Sequence, residues 1–262
     1  MEKQSFTLKN HSFFNPTRHC AAALAGITVL FFSGLFVACT YPELKKEETI
    51  QETVKKDEAT GAKLAPQFEQ NFHKKRDKKV EAYLTDLTKR LAHNVQDLGT
   101  NSFQVTLLDD RRLRWTNYNL PTSRVYLSVG LIRSINFENE IAAGIALELA
   151  HLRKRDVATQ LSTAGKIDFS EADSVFAYTE KTQLGAIENA VDLLYQAGFD
   201  PRGLVTLFQI YQKNPTHSPY SEAMLVRFLE KTRRTLAAYT PLRNPVVRSQ
   251  NFLLIRKRIQ TL

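Results

Sequence analysis

Apolar residues recur at helical spacing from Gln67 to about Asn94, where Phe68, Phe72, Val80, Tyr83, Leu84, Leu87 and Leu91 mark one side of a helix or of a helical pair. The period then changes. Ser102 to Leu108 alternates Phe103, Val105 and Leu107 in a run rich in β-formers, which predicts a strand, and the polar cluster Asp109 to Arg112 predicts a loop. Leu120-Pro121-Thr122-Ser123 reads as a turn into a second strand, Arg124 to Val129, with Val125, Leu127 and Val129 facing one way and Tyr126 the other. The longest helical pattern follows, from Phe137 to Asp156. Asn136 is placed to cap it, Glu138 and Glu140 suit the positive end of its dipole, and Ile141, Ile145, Leu149 and Leu152 form its buried stripe.

A polar stretch to about Ala177 precedes a helix from Thr179 to Gln196, which Ala197-Gly198-Phe199-Asp200-Pro201 stops, with glycine suited to the helix end and proline to the start of the next element. Helices are predicted over Arg202 to Gln212 and Glu222 to Ala238. The segment Thr240-Pro241-Leu242-Arg243-Asn244-Pro245 breaks the pattern before a last amphipathic helix carrying Leu253, Leu254, Ile255 and Ile259. Many helices and two short strands predict an α+β domain, mainly helical, with a small β-sheet.

The amino-terminal region follows another pattern. Lys3, Lys9 and Arg18 precede an apolar run from Cys20 to Cys39, the charge-then-hydrophobe order of a secretory signal. The run ends Leu35-Phe36-Val37-Ala38-Cys39, which resembles the lipobox of bacterial lipoproteins, with Phe36 where that box usually has leucine. Cleavage there makes residues 1–38 a signal peptide and Cys39 the acylated first residue. The alternative is an uncleaved anchor, since about twenty apolar residues can just span a bilayer. Thr40 after the cysteine, rather than an aspartate, resembles sorting to the outer membrane. Residues 41 to about 65 are charged and poor in large apolar groups, so residues 39–65 are expected to be a lipidated cysteine with a flexible tether, ahead of a folded domain over 66–262.

Charge and cysteine usage narrow the picture further. The chain carries a formal charge of +9, of which the first 38 residues, with Lys3, Lys9 and Arg18 against Glu2, supply about two. The excess is spread rather than blocked, which favours anionic headgroups or envelope polymers and gives no footprint for nucleic acid. Its two cysteines bracket the apolar run, so no structural disulfide is expected in the folded region.

Candidate chemistry sits in the long helix, at Leu147-Glu148-Leu149-Ala150-His151. Residues 147, 148 and 151 share a side of that helix. In the H-E-x-x-H motif of zinc peptidases two histidines at this spacing bind the metal and the glutamate is general base for its water. Glu148 and His151 stand at two of the three positions; Leu147, at the third, has no lone pair to donate.

Taken together, an initial helical pair, a strand, the segment L-P-T-S-R-V-Y-L-S-V-G-L over 120–131, a helix with Glu148 and His151, and the A-G-F-D-P turn over 197–201 resemble the peptidase family M48 domain. Those are zinc metallopeptidases of the CAAX prenyl protease and heat-shock protease type, and they include periplasmic lipoproteins with protease and chaperone roles. The resemblance, over roughly residues 60 to 215, implies a zincin-like fold around a core active-site helix. It also implies a third zinc ligand from an E-x-x-A-D motif on the helix before A-G-F-D-P. Counting back from Gly198 places Gln183 at the glutamate, Ala186 at the alanine and Ile187 at the aspartate. A neutral amide is a poor zinc ligand, and isoleucine cannot orient one. Glu188 and Asp192 repeat the acidic spacing five residues later, about 140° around the helix and away from His151. His73 and His93 are expected at surface or cap positions. His217, in Thr216-His217-Ser218-Pro219, is similar to a family segment whose histidine can support the active site.

These residues imply a lipid-anchored protein of the bacterial cell envelope, facing the periplasm, whose peptidase-like domain has lost its zinc site and binds envelope proteins or unfolded polypeptide. No cofactor is expected, whereas active family members hold zinc. In that family the strand before the ligand helix pairs with extended substrate, which nominates the edge at Arg124, Val125, Tyr126 and Leu127. An active zinc metalloendopeptidase with a different ligand set is the alternative. A structural lipoprotein bound to the cell wall through its basic carboxy-terminal region is a third reading.

Overall fold

The computed structural model describes residues 49–93, 98, 102–109, 114–121, 123–164 and 178–262. Cys39 and the whole amino-terminal signal lie outside these residues, which belong to a compact unit spanning residues 47–262. The chain order is α1 (Ile50–Asn71), β1 (Lys74–Lys75), α2 (Lys78–Ala92), β2 (Gln104–Leu108), β3 (Tyr118–Asn119), β4 (Arg124–Ser128), α3 (Val129–Ser134), α4 (Glu138–Arg153) and α5 (Asp156–Ala164), followed by α6 (Glu180–Gln196), α7 (Gly203–Lys213), α8 (Glu222–Ala237) and α9 (Gln250–Gln260). It is an α+β fold, mainly helical, with a small mixed sheet. Among the described residues no helix is long and apolar enough to cross a membrane.

The sheet runs β1-β2-β4-β3. β2 and β4 pair in parallel from Gln104↔Arg124 to Leu108↔Ser128, and short antiparallel strands flank them, β1 on β2 and β3 on β4. Strand alternation divides the interior. Val105, Leu107, Val125 and Leu127 enter the main core with residues of α2, α3, α4, α6, α7, α8 and α9, while Leu108, Tyr118 and Tyr126 join Phe68 and Phe72 in a second cluster.

That second cluster corrects the expected tether. Residues 50–65, read as part of a flexible stretch ending at 65, are helical in α1, so the domain does not begin at 66. Thr49 and Glu52 form a capping box, with Glu52 N–H on Thr49 Oγ1 at 3.3 Å and Thr49 N–H on Glu52 Oε2 at 3.0 Å. The helix is weakly apolar, and what it lacks in burial along its first turns is offset at the other end. There Ala65, Phe68 and Phe72 pack on Tyr118, Leu120, Tyr126 and Val157, with the Phe68 and Phe72 rings stacked at 4.2 Å. Glu69 adds polar contacts to Lys74 at 2.6 Å, Arg124 at 2.7 Å and the Tyr126 hydroxyl at 3.1 Å. Part of the polar stretch after Asp156 is likewise helical, as α5.

α4 lies at the centre, buried on nearly every side from Glu138 to His151. Its amino terminus shows how tertiary contacts replace a local cap. Asn136 is not its cap: the Asn136 and Phe137 N–H groups donate to Glu140 Oε2 at 2.9 and 3.0 Å, and Asn136 Oδ1 accepts from Arg256 at 3.3 Å. The first N–H groups, of Glu138 and Asn139, donate to Val247 O at 3.0 and 3.3 Å. Glu138 accepts from the Tyr83 hydroxyl at 2.8 Å and from Ser249 N–H at 2.5 Å, so a buried carboxylate joins α4, α2 and α9. Burial, then the Glu138 charge, pushes the Tyr83 hydroxyl pKa well above its ordinary range. α6 ends at Gly198, whose φ of 74° lies in the left-handed region that favours glycine.

Candidate functional site around Glu148 and His151

Leu147 and His151 stand one turn apart on α4, with Glu148 beside Leu147. All three are buried, at 4%, 1% and 6% exposure, so polar atoms here need partners inside the protein. His151 has a partner on each nitrogen. Nδ1 lies 2.8 Å from Asp156 Oδ2 and Nε2 lies 3.0 Å from Gln183 Oε1. Its ring stacks on Tyr178, with centroids 3.4 Å apart and planes 9° from parallel. Asp156 reaches back to the histidine because the α4–α5 junction turns through Arg155, which has φ 56°, a left-handed conformation in a residue that rarely adopts it. Arg155 is held there by Asp57 of α1, through Nε to Oδ2 at 2.7 Å and Nη2 to Oδ1 at 2.9 Å.

Glu148 is tied to β3. Asn119 Nδ2 lies 2.8 Å from Glu148 Oε2, 3.1 Å from the Glu148 carbonyl and 2.9 Å from the Tyr178 hydroxyl, which also hydrogen bonds to the Glu148 carboxyl. Burial pushes the Glu148 carboxyl pKa above its ordinary value, against the pull of His151, Asn119 and Tyr178. The Tyr178 and Tyr220 hydroxyls are pushed up in turn, by burial first and by the Glu148 charge second. Two buried polar atoms of this cluster, Asn119 Oδ1 and Gln183 Nε2, have no hydrogen-bond partner among the described residues. Leu147, on the turn before His151, is a member of the main apolar core.

The model of Peptidase family M48 matches residues 78–251, a span that includes the helix with Glu148 and His151 and the turn at Gly198. The chain belongs to peptidase family M48. M48 proteins are zinc metallopeptidases. None of the curated proteins matches this chain.

Within this M48 domain, the residue counted to the third ligand position does meet the histidine, since Gln183 of α6 touches His151. Ile187 is fully buried in the main core. The alternative acidic pair faces outward, Glu188 on Lys231 of α8 and Asp192 on Gln196 at 2.8 Å. His73 and His93 are exposed. His217 is exposed as well and stacks on Trp115 at 4.7 Å, while its carbonyl accepts from Trp115 N–H at 2.7 Å. Among the described residues no group of three His, Cys, Asp or Glu side chains is arranged to hold a metal ion.

The expected substrate edge is corrected. Arg124, Val125, Tyr126 and Leu127 lie on β4, an interior strand with β2 on one side and β3 on the other. On that side the outer strand is β3, and both of its residues, Tyr118 and Asn119, are 1% exposed. Sequence reasoning missed Asp156, Asn119 and Tyr178. Asp156 alone left a trace, as an acidic residue one turn beyond the histidine. Asn119 and Tyr178 reach the site from 29 and 27 residues away in the chain, with no local pattern to mark them.

Proposed function

We propose that this chain is a lipid-anchored protein of the bacterial cell envelope whose M48 domain does not hold zinc and acts by binding envelope proteins or unfolded polypeptide rather than by cleaving them. One observation carries the reading: His151 Nε2 is hydrogen bonded to the amide of Gln183 at 3.0 Å, while Leu147 one turn earlier is packed in the apolar core. A catalytic zinc needs three protein donors and an open position for water. Leu147 offers no donor, the neutral amide of Gln183 is a weak one, and the histidine nitrogen facing it is already engaged. The residues present therefore do not fit the metal that the family uses. Glu148, buried and tied to Asn119, supports the same reading, because burial favours its neutral form and not a base. Anchoring outside the cytoplasm is supported by the order of Lys3, Lys9, Arg18, the apolar run and Cys39.

Metal content tests the reading. Full-length protein purified without chelator, incubated with zinc and freed of excess, is expected to carry only a trace by elemental analysis. One tightly held equivalent per chain, with proteolysis abolished by Glu148→Gln, would overturn it in favour of an active metalloendopeptidase with another ligand set.

The buried Glu148 carboxyl should also cost the fold stability at neutral pH. Its pKa is raised in the folded state, so between the ordinary carboxylate value and the folded one the native protein holds more protons than the unfolded chain, and stability falls as pH rises through that interval. Glu148→Gln is expected to remove this slope and to raise stability at neutral pH. Urea denaturation of both proteins at acidic and neutral pH checks it; a variant less stable at neutral pH would show that the ionised carboxylate is the favoured form.

A further inference from the structure

α9 carries an outward face that the fold leaves uncovered. Phe252 and Ile259 are fully buried and fix the helix to the domain, and Arg256 donates to the Arg133 carbonyl at 3.4 Å and to Asn136 Oδ1 at 3.3 Å. On the opposite side Leu254 is 77% exposed and Leu253 42%, two of the three exposed large hydrophobic side chains among the described residues. Lys257 and Arg258 follow them by three to five positions, so cations and leucines share that outer face. Arg258 reaches Asp77, the cap of α2, at 2.7 Å, which brings the exposed first turn of α2, with Lys78 and Lys79, alongside. The acidic residue at this junction is thus engaged, and the surface that remains combines ammonium groups with two bare leucines.

We propose that this face, formed by Leu253, Leu254, Lys257, Lys78 and Lys79, docks the domain on a membrane surface of anionic lipid headgroups. The inference rests on the envelope placement proposed above and adds the orientation in which the domain lies. Charge complementarity selects the partner: clustered lysines attract an anionic leaflet, and leucines on the same side enter the headgroup and acyl boundary. Nucleic acid or a polyanionic polymer would use the cations and gain nothing from exposed leucines, and the outer face of α9 presents no aromatic ring for base stacking.

Full-length chain is mixed with vesicles of phosphatidylcholine alone or of equal parts phosphatidylcholine and phosphatidylglycerol, floated, and followed by amide hydrogen exchange. The expected result is flotation on both, with exchange over residues 250–260 slowed about tenfold on the anionic vesicles only. Leu253→Ser with Leu254→Ser should still float and should lose that protection; both positions are exposed, and unchanged exchange in α4 shows that the variant is folded. Flotation on both vesicles with identical exchange over 250–260 overturns the docking face and leaves the anchor standing. Flotation on anionic vesicles alone, with 250–260 protected, removes the anchor and keeps the face. Protection that survives the serine variant, or that heparin produces without vesicles, shows a polyanion site and overturns the lipid proposal, as does failure to float on either vesicle.

Discussion

Leu147→His combined with Gln183→Glu is expected to give this protein a zinc site, binding one equivalent with a Kd below about 1 μM, or roughly 8 kcal/mol. The scaffold for that outcome is in place. His151 Nδ1 is held by Asp156 at 2.8 Å, the carboxylate–histidine arrangement that orients a metal-binding imidazole, and Nε2 already faces position 183 of α6 at 3.0 Å. A histidine at 147 lies one turn from His151 on the same helix, and a glutamate at 183 replaces a weak neutral donor with a charged one. Neither single variant supplies three good donors, so each is expected to bind at least tenfold more weakly than the pair. Without zinc the double variant should be less stable by about 2 kcal/mol, because an imidazole replaces leucine in an apolar core. Added zinc should return that stability by mass action. Elemental analysis and zinc titration followed by thermal unfolding check both parts. A folded double variant that takes up no zinc would show that residues 147 and 183 are not the ligand positions. Adding Asp156→Asn to the pair should then weaken zinc by about 10- to 100-fold, as expected when an orienting carboxylate is lost.

Gly203→Ala is expected to be the most damaging small substitution outside the site, at about 3 kcal/mol. Gly203 opens α7 where that helix meets the start of α4, and a Cβ there would stand 2.3 Å from the Asn139 carbonyl oxygen and 2.6 Å from its carbon. Those atoms are backbone and cannot rotate away. Asn139 is fixed from the other side too, since its Nδ2 donates to the Asp200 carbonyl at 3.2 Å. The clash can be relieved only by moving α4 against α7, and α4 carries Glu148 and His151. Gly185→Ala is the control. Its nearest atom is the Lys154 ammonium nitrogen at 3.0 Å, the free end of a flexible chain, and alanine is the better helix former inside α6 by about 1 kcal/mol. Urea denaturation should therefore show a large loss for position 203 and no loss, or a small gain, for position 185. Equal midpoints for the two variants would contradict the backbone contact.

Much of the fold was legible because local chemistry encodes it. The alternation of Val125 and Leu127 against Tyr126 becomes a division between two apolar clusters, as the period of a strand requires, whereas Val129, expected at the end of that strand, opens α3. The turn after α6 was legible in Gly198. α1 was partly legible too, since Thr49 and Glu52 hold the capping-box spacing, yet the many charges around them suggest a tether. The polar character of residues 50–65 taken as a whole is a poor guide there, because a few residues at one end of the helix, Ala65, Phe68 and Phe72, supply the burial. β4 reads as an edge in the sequence for a related reason: β3 is two residues long, too short for any periodic signal.

By itself the sequence determined α2, α4 and the helices from α6 onward, the two central strands, the order that identifies the family, and the identities of residues 147, 148, 151 and 183, because those follow from spacing along one chain. Only the tertiary structure decided what these residues touch. Asp156 and Gln183 on the two nitrogens of His151, Asn119 on Glu148, and α1 braced across β4 and the α4–α5 turn are contacts between elements distant in sequence. Desolvation drives them: a buried polar atom must find a partner wherever the packing of helices and sheet supplies one, and periodicity along the chain carries no record of which that will be.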